Sequence, residues 1–280
     1  MLDADPNFVR KELAKLSRSK NQDTQQNILL YALEGFLNRL AISDSPSSFV
    51  LKGGMLLAAF DQRRPTTDID FAARGFQNTD DQVRIRIQKI LEMPINDSLV
   101  FHPETLRLDE IRNSAAYFGQ RTSFEVSLGS SRVTLRLDLN FGDEIYPGAQ
   151  PVDYPTLLPD LRPRFTLTAY PIELVIAEKF VTMLSRLSAN TRLKDVADIL
   201  GLLPLADPEK LRSSVLRVAS NQGVVNFNAR QLLEEWAANQ QDAWLARESK
   251  NYPHLAGKTF MEIFEIVAHE IFSLLDVGDK

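Results

Sequence analysis

The architecture of this chain turns on residues 51–71, LKGGMLLAAFDQRRPTTDIDF. The apolar run ending at Lys52 reads as a short strand stopped by Gly53-Gly54. Residues 55–61 read as a short helix, RRPTT as a turn, and DIDFAAR (68–74) alternates as a second strand. On one strand, Asp68 and Asp70 are two apart and project to the same face. Carboxylates that close repel each other unless a cation lies between them. Hard oxygen ligands favour Mg²⁺, which takes one or two carboxylates and completes its shell with water and phosphate oxygens. The glycines leave a phosphate room to approach, and their N–H groups can meet it. Taken singly, a Gly-Gly is a turn and an Asp-x-Asp a solvated strand edge. Their order, followed by a third strand carboxylate, is what carries meaning.

That third carboxylate is Asp138. RVTLRLDLNF (132–141) alternates strictly, with Val133, Leu135, Leu137, Leu139 and Phe141 on one face and Asp138 on the polar one. GSS at 129–131 reads as the hairpin turn before it. Three carboxylates on neighbouring strands would make a clamp for phosphoryl or nucleotidyl transfer. Upstream, residues 7–19 and 23–42 read as helices, the second capped by Asp23 with Ile28, Leu29, Ala32, Leu33, Phe36, Leu37 and Leu40 on one face. Residues 79–92 open acidic and continue as an amphipathic helix, and 99–142 read as strands. Residues 147–171 hold six prolines and read as a wrapping connection. Helices are expected at 171–188, 191–203, 207–221, 228–244 and 258–275. The predicted layout is α+β: a mixed sheet with flanking helices over 1–165, then a helical domain over 166–280.

The 280 residues are 44% hydrophobic and 25% charged, which is ordinary globular usage. With no cysteine, disulfides, thiolate nucleophiles and Cys-ligated zinc are excluded, and the three scattered histidines read as structural. No apolar run approaches the ~18 residues of a membrane span. The charged N-terminus lacks a secretory core, so a cytoplasmic location and no membrane partner are expected. Net charge is −5, but residues 160–230 hold ten Lys/Arg against seven Asp/Glu, and 231–280 hold four against nine. Nucleic acid would therefore meet a local basic face, with Arg186, Arg192 and Lys194 as candidates. The C-terminal aromatics (Trp236, Trp244, Phe260, Phe264, Phe272) have helical spacing and read as packing.

Gly-Gly, then Thr66-x-Asp68-x-Asp70, then a later strand Asp is similar to the signature of polymerase-β-type nucleotidyltransferases. More narrowly, LKGGxxL (51–57), RxTxDIDF (64–71), LDLNFGD (137–143), ELVIAEKF (173–180) and RLKDVADIL (192–200) resemble the AbiEii/AbiGii-type toxins, a group that includes the MenT toxins. The resemblance spans about residues 45–205. It implies a nucleotidyltransferase-like core, an NTP substrate with Mg²⁺ or Mn²⁺, a cognate antitoxin protein, and transfer to the 3′ end of tRNA. It implies that Asp68, Asp70, Lys179 and Asp195 are catalytic. Metal would be held by Asp68, Asp70 and Asp138, and nucleotide by Lys52, Gly53, Gly54, Arg64, Thr66 and Asp198. The family usually follows its glycines with Thr or Ser. Here Met55 stands in that place, so backbone N–H groups alone would serve.

Lys179 lies in an otherwise apolar stretch, so it either snorkels to the surface or points at an anion. Beside a triphosphate its charge would offset that of the transition state. Asp195 either anchors Lys179 or acts as general base. Two rival readings stand: a transferase acting on a protein or small molecule, and a non-catalytic nucleotide-binding module.

Overall fold

A computed structural model of the chain describes residues 5–114, 117–186, 191–224 and 230–276. It falls into two compact units. The first is Met1–Glu144 with Ala149–Ala169, and the second is Ile145–Gly148 with Tyr170–Lys280.

The first unit opens with α1 (Pro6–Lys20) and α2 (Thr24–Ala41). Asp23 caps α2 by accepting from the Gln25 N–H. Then come β1 (Phe49–Lys52), α3 (Gly53–Leu56), β2 (Ile69–Ala73) and α4 (Asp80–Leu91). The strands β3 (Leu99–Ser114), β4 (Tyr117–Leu128), β5 (Ser131–Phe141), β6 (Gln150–Tyr154) and β7 (Phe165–Ala169) complete the unit. The seven strands form one mixed sheet in the order β3-β4-β5-β2-β1-β7-β6. β2 runs parallel to β5 and β1 parallel to β7, while the other neighbours are antiparallel.

β6 and β7 lie in the stretch expected to be a connection. The alternation in Phe165-Thr-Leu-Thr-Ala169 is real, with Leu167 and Ala169 buried, but flanking prolines obscured it. Pro151 is tolerated because β6 is an edge strand and the missing donor breaks no central ladder. The hairpin turn between β4 and β5 is two residues, Gly129-Ser130, with Gly129 at φ +57°.

Phe36 of α2 packs on Phe71 and Phe124 of the sheet, with ring centroids 6.3 and 5.7 Å apart. Burying each such ring contributes roughly 2–3 kcal/mol. α2 is buried nearly all round rather than on one face, which forces its charges inward. Glu34 meets Arg63 at 2.5 Å and accepts the Leu157 N–H, while Arg39 and Arg162 both bond Asp97. Burial raises the Glu34 carboxyl above its ordinary value even with Arg63 and Arg162 beside it. Gly35 makes room for this network: a Cβ there would lie 2.2 Å from Leu99 Cδ1 and 3.3 Å from Asp97 Oδ2.

The second unit contains α5 (Ile172–Arg186), α6 (Leu193–Leu202), α7 (Pro208–Asn221), α8 (Arg230–Ala238), α9 (Gln241–Arg247) and α10 (Phe260–Asp276). The last residues of the expected helix 171–188 and the first of 228–244 lie outside the described residues. The single helix expected to end at 244 is broken at Asn239-Gln240, where the N–H groups bond back three residues to Trp236 and Ala237. The break lets Trp236 and Trp244 both pack on Phe260, each with centroids 5.6 Å away. No described helix is long and apolar enough to cross a membrane.

Candidate active site

β1 and β2 deliver the motif residues, with one difference from expectation. The strand begins at Ile69, so Asp68 sits just before it and Asp70 within it. Cross-strand register then builds a row of charge. Lys52 of β1 is level with Asp70 of β2, Asp70 with Asp138 of β5, and Asp138 with Arg121 of β4. Residues level with each other in a sheet share a face, so the row presents plus, minus, minus, plus across four strands.

The glycines also do a steric job that their sequence does not announce. α3 starts at Gly53 itself, which has φ +65°. A Cβ on Gly53 would lie 1.8 Å from Asp70 Oδ2 and 2.6 Å from its Cγ. One on Gly54 would lie 2.7 Å from Thr66 Oγ1 and 3.6 Å from Arg64 Nη1. The missing side chains therefore make room for the side chains of Asp70 and Thr66. Thr66 Oγ1 in turn lies 3.4 Å from Asp68 Oδ1, and the Thr66 carbonyl accepts from Gln26 Nε2 at 2.8 Å. Arg64 is buried, with Nη1 donating to the Pro65 carbonyl. Lys52 is buried and donates to Asp143 Oδ2 at 2.7 Å.

Asp138 faces Arg121 in a two-pronged pair: Nε to Oδ1 at 2.7 Å and Nη2 to Oδ2 at 2.6 Å. The hydrogen bonds from Arg121 to Asp138 hold its guanidinium above its ordinary value, and the charges of Asp68 and Asp70 add to this. Among the described residues, no three carboxylate or histidine side chains converge to hold an ion unaided. Asp68 and Asp70 remain a pair of hard oxygen donors, a set that fits Mg²⁺ or Mn²⁺ completed by phosphate oxygens.

In the second unit, α5 and α6 bring Lys179, Asp195 and Asp198 together. Lys179 is buried, and its Nζ donates to Asp195 Oδ1 at 2.6 Å and Asp198 Oδ2 at 2.8 Å. Neither a snorkelling lysine nor one without a carboxylate partner describes it. Arg192 Nε lies 2.5 Å from Asp195 Oδ2. Burial pushes the Asp195 carboxyl up, but Lys179 and Arg192 outweigh it and leave the group below its ordinary value. Of the cations expected on a basic helical face, Arg192 is thus matched by an acid. Arg186 is exposed.

Two participants were not singled out from sequence. Tyr252 donates to Asp198 Oδ1 at 2.6 Å and packs on Trp244, from 54 residues downstream. Nothing local flags it. Arg121 was legible in principle: counting outward from a two-residue turn at Gly129-Ser130 sets it opposite Asp138.

Residues 35–265 match the family described as nucleotidyl transferase AbiEii toxin, type IV toxin–antitoxin system. JHP933 from Helicobacter pylori is similar in fold, with a TM-score of 0.51 at 12% identity, covering 91% of this chain and 94% of that one. A second H. pylori protein, provisionally described as a nucleotidyltransferase, gives 0.52 at 12% identity over 91% and 96%. Among curated proteins none matches. At such identities the structural likeness speaks for the fold alone, whereas the family match covers most of the chain.

Proposed function

This chain belongs to the AbiEii nucleotidyl transferase toxins of type IV toxin–antitoxin systems, and on that premise we infer that it transfers a nucleoside monophosphate from an NTP to the 3′ end of tRNA. Membership implies an NTP substrate and an antitoxin partner. The observation that carries the reading is Asp70 seated in the space of the absent Gly53 side chain, level with Asp138 and two residues from Asp68. That is a fixed acidic site with glycine backbone alongside.

In this reading Asp68 and Asp70 would hold Mg²⁺ or Mn²⁺, which would supply charge neutralisation for the phosphate oxygens. The acceptor oxygen bonds to the NTP α-phosphorus, the bond from that phosphorus to the oxygen bridging to the β-phosphate breaks and pyrophosphate leaves, and the hydroxyl proton passes to water. Gly53 and Gly54 offer backbone N–H groups to phosphate, and Lys52, Arg64 and Thr66 fix the strands and turn that carry the site. Within the second unit, Asp195 and Asp198 anchor Lys179. The excess of Lys/Arg over Asp/Glu in residues 160–230 supports an RNA acceptor.

The test is incubation with labelled NTPs and total tRNA, comparing wild type with Asp70→Asn. Label should enter RNA only with the wild type, and Asp70→Asn should still melt in one cooperative transition, which shows that the loss is not one of folding. An active Asp70→Asn protein would sink the reading. Label appearing in a protein or small molecule would keep the chemistry and replace the acceptor.

A further inference from the structure

The carboxylate site already contains a cation, and that cation belongs to the chain. Asp70 and Asp138 stand level on the two central strands β2 and β5, and Asp68 lies two residues before Asp70. Arg121 brings one positive charge, fixed through both oxygens of Asp138 and acted on by the fields of Asp68 and Asp70. No family motif quoted above contains Arg121. Its side chain is 43% exposed and Asp138's is 17%, so the guanidinium can swing away into water without unpacking a core.

We propose that Arg121 is a resident counter-ion that competes with the divalent cation for the Asp68–Asp70–Asp138 cluster. The proposal rests on the reading that Asp68 and Asp70 bind that cation. Two physical consequences follow. Asp138 is occupied by a two-pronged guanidinium and does not enter the ion's shell while the pair persists, which leaves Asp68 and Asp70 as the first ligands. The fixed positive charge also lowers the site's affinity for a free divalent ion, since like charges a few ångströms apart repel even across a high dielectric. An ion arriving already bound to a triphosphate carries the opposite net charge and meets no such penalty. Arg121 therefore selects metal–nucleotide over bare metal, making it a positioning and specificity residue rather than a catalytic one.

The probe is Mn²⁺ alone, titrated into the full chain with free Mn²⁺ read by electron paramagnetic resonance. Arg121→Gln should tighten binding by about threefold or more. Arg121→Lys, which keeps the charge but not the fork, should stay within about twofold of wild type. Asp138→Asn should weaken binding, because the released guanidinium turns onto Asp68 and Asp70. In wild-type protein, independently of any variant, saturating Mg²⁺-nucleotide should shift the Arg121 Nε–H proton signal from its carboxylate-bonded position. Arg121→Gln binding Mn²⁺ no more tightly than wild type, or an Nε–H signal unmoved by Mg²⁺-nucleotide, overturns the proposal. If Asp70→Asn binds Mn²⁺ as well as wild type, the ion assignment itself fails. If binding depends on Asp70 but Arg121→Gln brings no tightening, only the role of Arg121 falls.

Discussion

Gly53→Ala should disable the site by displacing Asp70, and the size of the effect can be worked from two glycines. Gly53 has φ +65°, where an alanine costs about 1–2 kcal/mol through its backbone alone. Its Cβ would also lie 1.8, 2.6 and 2.8 Å from Asp70 Oδ2, Cγ and Cβ. Three such contacts cannot be absorbed by rotating a terminal group, so Asp70 must leave its rotamer or the strand must shift, adding about 0.5–1.5 kcal/mol. The total of about 1.5–3.5 kcal/mol is separable, because Gly75 provides the control. Gly75 has φ +76° with nothing within 4 Å of its Cβ position, so Gly75→Ala carries the backbone cost without the collision. Urea denaturation of both variants, with transfer activity measured in parallel, tests the reasoning. Gly75→Ala should lose stability and keep activity. Gly53→Ala should lose more stability and, with a carboxylate misplaced by about 1 Å, roughly a hundredfold in activity. Equal stability losses with wild-type transfer in both would refute the view that Gly53 exists to seat Asp70.

Lys179→Met should cost about 3–5 kcal/mol, because it leaves Asp195 and Asp198 buried and facing each other without their shared cation; a urea midpoint near wild type would show that α5 and α6 do not depend on this ion cluster. Acid should act on the same cluster: Asp195 lies below its ordinary value in the folded state, so the stability it contributes is complete above its unfolded value of about 3.9 and drains as pH falls through the folded one. The urea midpoint of Asp195→Asn should therefore fall less steeply below about pH 4 than that of wild type, with Glu34, raised rather than lowered, present equally in both; parallel curves would count against the assignment.

Where local pattern and final environment agreed, the sequence was readable. β5 alternates in sequence and in burial, and Asp23 caps the helix it precedes. The Gly-Gly and Asp-x-Asp motifs mark the candidate site but do not show the steric task of the glycines. That task depends on where Asp70 and Thr66 return in space. β7 was hidden because its two-residue alternation is only five residues long and lies between prolines. The helix break at Asn239 answers to two indoles needing the same phenyl ring, a tertiary demand that no propensity records. The Arg121–Asp138 pair shows how narrow the margin is. A turn taken as Gly129–Ser131 rather than Gly129-Ser130 shifts the register by one and moves every partner to the other face.

The hairpin of β4 and β5 has a consequence for how the sheet closes. Arg121 and Asp138 sit on its two arms, level with each other and 17 residues apart along the chain, so their pairing needs only that hairpin. The seam between β2 and β5 is different: it is parallel, joins residues 68 apart, and sets Asp70 directly level with Asp138. Unaccompanied, that register would press two carboxylates together at the centre of the sheet. Because the hairpin carries its own arginine, what it offers β2 at this level is an ion pair of zero net charge, and the seam zips without electrostatic penalty. An alignment slipped by two residues would set Asp70 level with Arg136 or Asn140 instead, with Arg121 no longer alongside. The charge row thus marks the correct register of a joint whose flanking apolar residues, Leu137 and Leu139, are identical and cannot mark it themselves.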